Sequence, residues 1–415
     1  MNDLLKGSFF IFVFKVFGAL FLFLLHIIIS QYYGAEVLGI FNLILALLMI
    51  ATIFSIVGLD LYMVRMIPSF QNESDKISSF IKKTFKILLL SSIFVSLLFY
   101  TFSTQINEYI FKSFDAHNYI MGFIYMIIPF SFFLLSIEVF RAFHEVRMYS
   151  FFKSLSLNMV LLFLLSLSIY FNFNFSPIYL MYGAILLISL LLSMVFFKFL
   201  KAQNINLRSK EKYKNKIIKY SYPMFFTSSI LFIMGYLDSF MIGYYMTEYQ
   251  VGIYSACIKI SFAITFVLQS VNAYIAPKLA QSYSSKNNEI KKIYRSTVII
   301  ILFSSLPMAI ILYSFPDFFL GLFGEEFKSA TLTLKIIIVG YLINALFGPV
   351  GYVLNMTDNQ NIFMKILLIS LVINFILNFI LIPSYGIDGA ATATLVSMFL
   401  WNFISFFVLK QKQII

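Results

Sequence analysis

The feature that most restricts this chain is the recurrence of apolar runs about as long as a bilayer is thick. Runs of roughly twenty residues with few charges lie near 8–29, 37–60, 84–104, 118–142, 151–171 and 177–197. Six more lie near 217–245, 250–275, 294–314, 329–355, 362–382 and 386–409. A helix of about twenty apolar residues crosses the hydrocarbon core, and only helices or closed barrels satisfy the backbone there. The runs are long and show no period-two alternation, so barrel strands are excluded. An all-α polytopic membrane protein of about twelve transmembrane helices is therefore predicted. With 61% hydrophobic and 12% charged residues, the chain carries more apolar surface than a soluble fold hides. The first run has no small-residue cleavage site after it and reads as a retained helix.

The formal net charge is +12. In a soluble protein that would point to nucleic acid. Here the basic residues sit between apolar runs, so they set topology and no nucleic-acid partner is expected. With the N-terminus inside, one set of segments carries Lys6, Arg65, Lys76, Lys82, Lys83, Lys86, Arg141, Arg147 and Lys153. The same side then takes the basic stretch from Lys198 to Lys219, followed by Lys278, Lys286, Lys291, Lys292, Arg295, Lys365, Lys410 and Lys412. The opposite side keeps only Lys112 and Lys328. Both termini are predicted to be cytoplasmic.

The basic stretch divides the chain after six runs, and the halves resemble each other. Tyr32-Tyr33 with Leu38-Gly39-Ile40-Phe41 recurs as Tyr244-Tyr245 with Val251-Gly252-Ile253-Tyr254. Phe151-Phe152-Lys153 matches Phe363-Met364-Lys365. Pro177-x-Tyr179-x₃-Gly183-Ala184 matches Pro383-x-Tyr385-x₃-Gly389-Ala390. Three matches in order imply a duplicated six-helix unit: one lobe over 1–200, a basic linker over 201–216 and a second lobe over 217–415. Parallel repeats of this kind place a substrate site between them near mid-membrane, and rock against each other.

Tyr220-Ser221-Tyr222-Pro223, Asp238-Ser239-Phe240-Met241-Ile242-Gly243-Tyr244-Tyr245 and Val251-Gly252-Ile253-Tyr254 look like the middle of polysaccharide export flippases. So do Tyr33-Gly34, Leu38-Gly39-Ile40-Phe41 and the closing Tyr385-Gly386-Ile387-x-Gly389-Ala390-Ala391. Over essentially its whole length the chain resembles the O-antigen flippase (Wzx) branch of the multidrug/oligosaccharidyl-lipid/polysaccharide exporter superfamily. The resemblance implies a V-shaped, two-lobed carrier in the bacterial cytoplasmic (inner) membrane. Its implied substrate is an undecaprenyl-diphosphate-linked oligosaccharide repeat unit, flipped from the inner to the outer leaflet. Its implied partners are membrane lipids and the polysaccharide polymerase and chain-length machinery. Lipid II flippases of the superfamily usually have fourteen spans, and no room for two more is found. Multidrug antiporters of the superfamily also have twelve, so a cation-coupled small-molecule exporter stays open as the alternative.

Ionisable groups at bilayer depth are costly and usually face protein or water. Lys15 and His26, eleven residues apart, project the same way from the first helix. Thr227 and Asp238 have the same spacing on the seventh run, so the two polar stripes read as walls of one cavity. Lys15 is a candidate diphosphate contact, against a lysine snorkelling to the interface. Lys259 is a second candidate, against an ion pair with Asp238. Asp238 and His26 are candidates for coupling to H⁺ or Na⁺, against ordinary hydrogen bonding. Glu138 and Arg141 are three apart on one helix face. With Asp60 and Arg65 at the end of the second run, they form a candidate gate or entry site, against an interfacial ion network. Lys335 is a further candidate cavity cation. Glu325-Glu326 reads as a solvated face.

No phosphate-cradling Gly-x₄-Gly-Lys motif, nucleophile elbow or metal-ligand cluster is present. Cys257 is the single cysteine, so no intrachain disulfide is expected. No cofactor is expected, and a transporter is favoured over an enzyme. The external segment 105–117 is too short to serve as a polymerase's catalytic loop.

Overall fold

A computed structural model describes all residues except 1, 71–72, 112–115, 144, 174, 207–216, 285–289 and 358. Most of the expected linker over 201–216 therefore lies outside the described residues. The described residues are helical, with no strand among them. The first stretch runs α1 (Asn2–Ile56), α2 (Leu59–Ser69), α3 (Ser74–Thr101), α4 (Ser103–Ile110) and α5 (Ala116–Ala142). Then come α6 (Val146–Ser150), a π-helical turn (Phe151–Ser156), α7 (Leu157–Tyr170) and α8 (Pro177–Ala202). The remainder comprises α9 (Ile217–Tyr245), α10 (Glu248–Ser284), α11 (Ile290–Ser314) and α12 (Pro316–Gly321). A 3₁₀ turn (Glu325–Ala330) leads into α13 (Thr331–Phe347), α14 (Val350–Met356) and α15 (Gln360–Gln411).

Among the described residues, 8 helices are long and apolar enough to cross a membrane. The first of them, Val13–Ile56, and the last, Gln360–Gln411, are each interrupted by a glycine. Gly34 adopts φ 83° and Gly386 φ 59°, backbone regions that a Cβ disfavours. These glycines close the Tyr33-Gly34 and Tyr385-Gly386 pairs, so each pair marks a helix break rather than a separate loop. The runs at 217–245 and 250–275 lie on α9 and α10, which are not among those 8 helices.

Two expected boundaries are corrected. The run at 37–60 stops at Ile56, because Val57 and Gly58 take positive φ and start a new helix. Asp60 and Arg65 therefore sit on α2, beyond the span rather than at its end. The run at 329–355 breaks after Phe347, where Gly348 has φ 65° and Pro349 cannot donate to a continuing helix.

The chain packs as two units. One holds Met1–Ile29 and Ile40–Phe232, the other Ser30–Gly39 and Ile233–Ile415. The short segment Ser30–Gly39 thus belongs to the second unit by packing. A Cβ on Gly39 would overlap the Glu248 carbonyl oxygen and lie 3.0 Å from the Gly252 nitrogen. A Cβ on Gly252 would overlap the Ala35 carbonyl oxygen and lie 3.0 Å from the Gly39 nitrogen. The contact is reciprocal: Gly39 meets Glu248 as Gly252 meets Ala35. Small residues four apart let helix backbones approach this closely in lipid.

The same segment is tied down at its start. The break at Gly34 removes the intrahelical acceptor for Ala35, whose N–H donates to Glu326 Oε1 at 2.8 Å. Gln31 Nε2 donates to the Leu322 carbonyl at 2.8 Å. Glu326 is therefore a helix cap and not merely a solvated charge, whereas Glu325 pairs with Lys328 at 2.6 Å. Glu326→Ala is expected to destabilise the second unit by about 0.5–2 kcal/mol, as loss of an N-terminal cap does. A thermal melt in detergent that shows no shift would exclude the cap.

Candidate functional site

The second unit holds a buried polar cluster around Asp238. The lipid environment leaves no water to satisfy a carboxylate on α9, so neighbouring helices must supply donors. Tyr254 of α10 donates its hydroxyl to Asp238 Oδ2 at 2.8 Å. Asn378 of α15 donates its amide to Oδ1 at 2.6 Å. Thr394, on the far side of the Gly386 break, donates its hydroxyl to Oδ2. Asn378 also donates to Asn374 Oδ1 at 3.2 Å, and Asn374 donates to Ser397 Oγ at 3.3 Å. The break at Gly386 folds α15 back on itself, which brings Asn374 and Asn378 against Thr394 and Ser397.

Lys259 does not pair with Asp238, so the ion pair weighed against its role as a diphosphate contact is not formed. Lys259 lies five residues after Tyr254 on α10, about 7.5 Å along the axis and about 140° around it. It therefore leaves the helix on another face. No ion-pair or hydrogen-bond partner of Lys259 occurs among the described residues. Lys335 takes a different partner and lies over the Tyr313 ring at 5.2 Å, a cation–π contact.

In the first unit, Lys15 is exposed and has no ion-pair partner among the described residues. His26 does not share its surface. It is fully buried, with Nδ1 donating to the Leu22 carbonyl at 2.8 Å and Nε2 3.1 Å from Asn42 Oδ1. Its ring meets Phe41 edge-on at 6.1 Å. The two residues project alike from one helix, but neighbouring protein covers only His26. The side chains of Thr227 and Arg65 lie outside the described residues.

Glu138 is buried and shared by two cations. Arg141 approaches Oε2 at 3.3 Å and Lys153, from the π-helical turn, approaches Oε1 at 3.2 Å. Arg141 also lies over the Tyr149 ring at 5.5 Å. Asp60 adds a second carboxylate to this field. It lies outside the candidate spans, and burial raises its carboxyl above the usual carboxylate range. A cavity of about 530 Å³ opens elsewhere in the first unit, lined by Lys82, Phe85, Pro129, Phe132 and Phe196 among others. None of the candidate residues lines it.

Sequence reasoning missed Tyr254, Asn374, Asn378, Thr394 and Lys153 as partners. The spacing of Asn374 and Asn378, one turn apart in an otherwise apolar run, was the available signal. Thr394 and Lys153 carry no such mark, because their roles depend on the fold of α15 and on the π-helical turn.

The fold of this chain recurs in solved structures. Its backbone superposes on the inward closed conformation of the lipid II flippase MurJ with a TM-score of 0.76, at 16% identity. That likeness covers 98% of this chain and 87% of the other. An inward-facing multidrug resistance MATE family transporter of the MOP superfamily superposes with a TM-score of 0.72, at 11% identity, over 99% of this chain and 94% of the other. Both likenesses show a shared fold over nearly the whole chain. The chain belongs to the polysaccharide biosynthesis protein family, whose pattern matches residues 4–283. A MatE pattern matches 223–380. A relative from Haloferax volcanii, a probable low-salt glycan biosynthesis flippase Agl15, is 26% identical over 193 residues. That match covers 45% of this chain and 41% of the relative. The capsular polysaccharide biosynthesis protein CapF of Staphylococcus aureus is 26% identical over 200 residues, 46% of this chain and 50% of its own length. The chain thus matches half or less of the length of these relatives.

Proposed function

We propose that this protein translocates an undecaprenyl-diphosphate-linked oligosaccharide repeat unit, of the O-antigen kind, from the inner to the outer leaflet of the bacterial cytoplasmic membrane. The observation that carries this reading is the sign of the charges left unpaired. Lys15 and Lys259 are cations without ion-pair partners among the described residues, whereas Asp238 and Glu138 spend their oxygens on neighbours. A diphosphate needs mobile cations, and lysine supplies them as point charges. An exporter of organic cations needs the reverse, an acid left open.

The reading requires no covalent chemistry. Two conformations that bind the headgroup from opposite sides suffice, with the polyprenyl tail remaining in lipid. The expected orientation, with both termini cytoplasmic, follows the basic segments. The reciprocal contact of Gly39 and Gly252, matching positions of the two repeats that meet within the second unit, supports a duplicated six-helix unit, read here as lobes over 1–200 and 217–415. Direction comes from consumption of product by the polysaccharide polymerase and chain-length machinery, or from a cation gradient. Asp238 is the coupling site in the second case, for H⁺ or Na⁺. The buried Asn378 Oδ1, which accepts no hydrogen bond, supports a cation there. The alternative, a cation-coupled multidrug antiporter, draws on the MatE match.

Proteoliposomes carrying a fluorescent polyprenyl-diphosphate oligosaccharide test the proposal. Wild type is expected to exchange the lipid between leaflets. Lys15→Ala and Lys259→Ala, at matched insertion, are each expected to slow exchange by ten-fold or more. Export of an organic cation without sugar-lipid exchange would replace the flippase by the antiporter.

A further inference from the structure

The polar residues of α15 extend well past Asp238. On its first half Ser370, Asn374 and Asn378 recur every four residues and share one face. On its second half Thr394, Ser397 and Ser405 lie along one face, with Asn402 at its edge toward α13. The Asn374–Ser397 hydrogen bond sets the register between them. Asn402 adds a bond to Asn344 of α13 at 3.1 Å. From Thr394 to Ser405 the seam runs for about 16 Å, over half of a hydrocarbon core of ~30 Å.

Polar side chains often glue membrane helices together, and in that role they pair with each other. Here four of them keep an atom unspent. Ser370 Oγ, Asn378 Oδ1, Asn402 Oδ1 and Ser405 Oγ are all buried and accept or donate no hydrogen bond. Packing alone does not account for such atoms, because each orphaned group is costly in a dry interior. All four residues are at 0% exposure, and Ser370, Asn402 and Ser405 lie on the basic-side half of the seam. Buried oxygen atoms without partners are of the kind that a hard cation and its water take as ligands.

The seam has a stopper. One turn beyond Ser370 and Ser405 on the same faces stand Ile366 and Leu409, both buried. They belong to an apolar cluster with Ile275, Leu279, Val350 and Val353. This end of α15 carries Lys365 and Lys410, on the basic side of the membrane. Apolar constrictions of this kind close a polar path by excluding water.

We propose that the seam between the two halves of α15 is a hydrated path that carries the coupling cation between Asp238 and the basic side of the membrane, closed in this conformation by Ile366 and Leu409. The inference rests on reading Asp238 as the coupling site. The test is sugar-lipid exchange in proteoliposomes under an imposed Na⁺ gradient at fixed pH, and separately under a pH gradient without Na⁺. The gradient that accelerates wild type identifies the cation. Asn402→Leu is expected to reduce that acceleration at least ten-fold. Leu409→Asn, which carries polarity through the stopper, is expected to leak the same cation without substrate, at least ten-fold above wild type. Full acceleration in Asn402→Leu together with no leak in Leu409→Asn overturns the path. If Asp238→Asn abolishes acceleration in that case, the coupling site stands and only the seam fails. Wild-type exchange indifferent to both gradients overturns the site and the seam together.

Discussion

Gly252→Val and Gly39→Val are each expected to leave little folded protein. A side chain at either position would collide with backbone, the Ala35 carbonyl in one case and the Glu248 carbonyl in the other. Overpacking a core usually costs about 1–3 kcal/mol, because side chains and backbone can shift. Here the neighbour on both sides is helix backbone, so relief requires moving whole helices apart. A loss of about 3 kcal/mol or more is expected. Gly183 provides the control, since a Cβ there meets nothing within 4 Å. Gly183→Ala is expected to be neutral or to gain up to about 1 kcal/mol, from helix propensity alone. Thermal melts in detergent and the yield of monodisperse protein read both effects. Equal melting of Gly252→Val and Gly183→Ala would show that the two helices do not meet as described.

Asp238→Ala and Asp238→Asn are expected to separate stability from coupling. The alanine leaves the Tyr254 hydroxyl, the Asn378 amide and the Thr394 hydroxyl without their acceptor. Each buried orphan costs about 1–3 kcal/mol, so a combined loss of about 3 kcal/mol or more is expected even with partial rearrangement. The asparagine keeps the shape and one acceptor oxygen while removing the charge. It is expected to melt within about 1–2 kcal/mol of wild type, the amide exchanging one acceptor for a donor. It is also expected to lose the acceleration by a cation gradient. An Asp238→Asn protein that is still gradient-driven would reduce Asp238 to a structural acceptor. Both variants melting like wild type would dissolve the cluster itself.

The candidate site was legible in part. Asp238 and Lys259 stood out because a charge inside an apolar run needs a reason. Their relation did not. Proximity in sequence allowed a pair, but the 140° turn between Tyr254 and Lys259 on α10 decides against it. Glu138 and Arg141 were legible as neighbours on one face, since a spacing of three is a local property of a helix. Lys153 was not, because it reaches Glu138 from another element through a π-helical turn. His26 and Lys15 show the same limit from the other side. Helical periodicity aligns them, and only the packing around α1 buries one and exposes the other.

What the amino-acid sequence determined by itself is the all-helical, membrane-bound class of this protein, its family resemblance and the charge asymmetry of its connecting segments. These follow from the length and polarity of single segments, which the bilayer reads one at a time. The tertiary structure decided where the helices break, at Gly34, Gly58, Gly348 and Gly386, which glycines admit a neighbouring backbone, and which polar groups satisfy one another. Those are matters of contact between segments far apart in the chain. A hydrogen bond such as that of Asn378 to Asp238 joins residues 140 positions apart, and no local pattern records such a partner, because it exists only once the helices have packed.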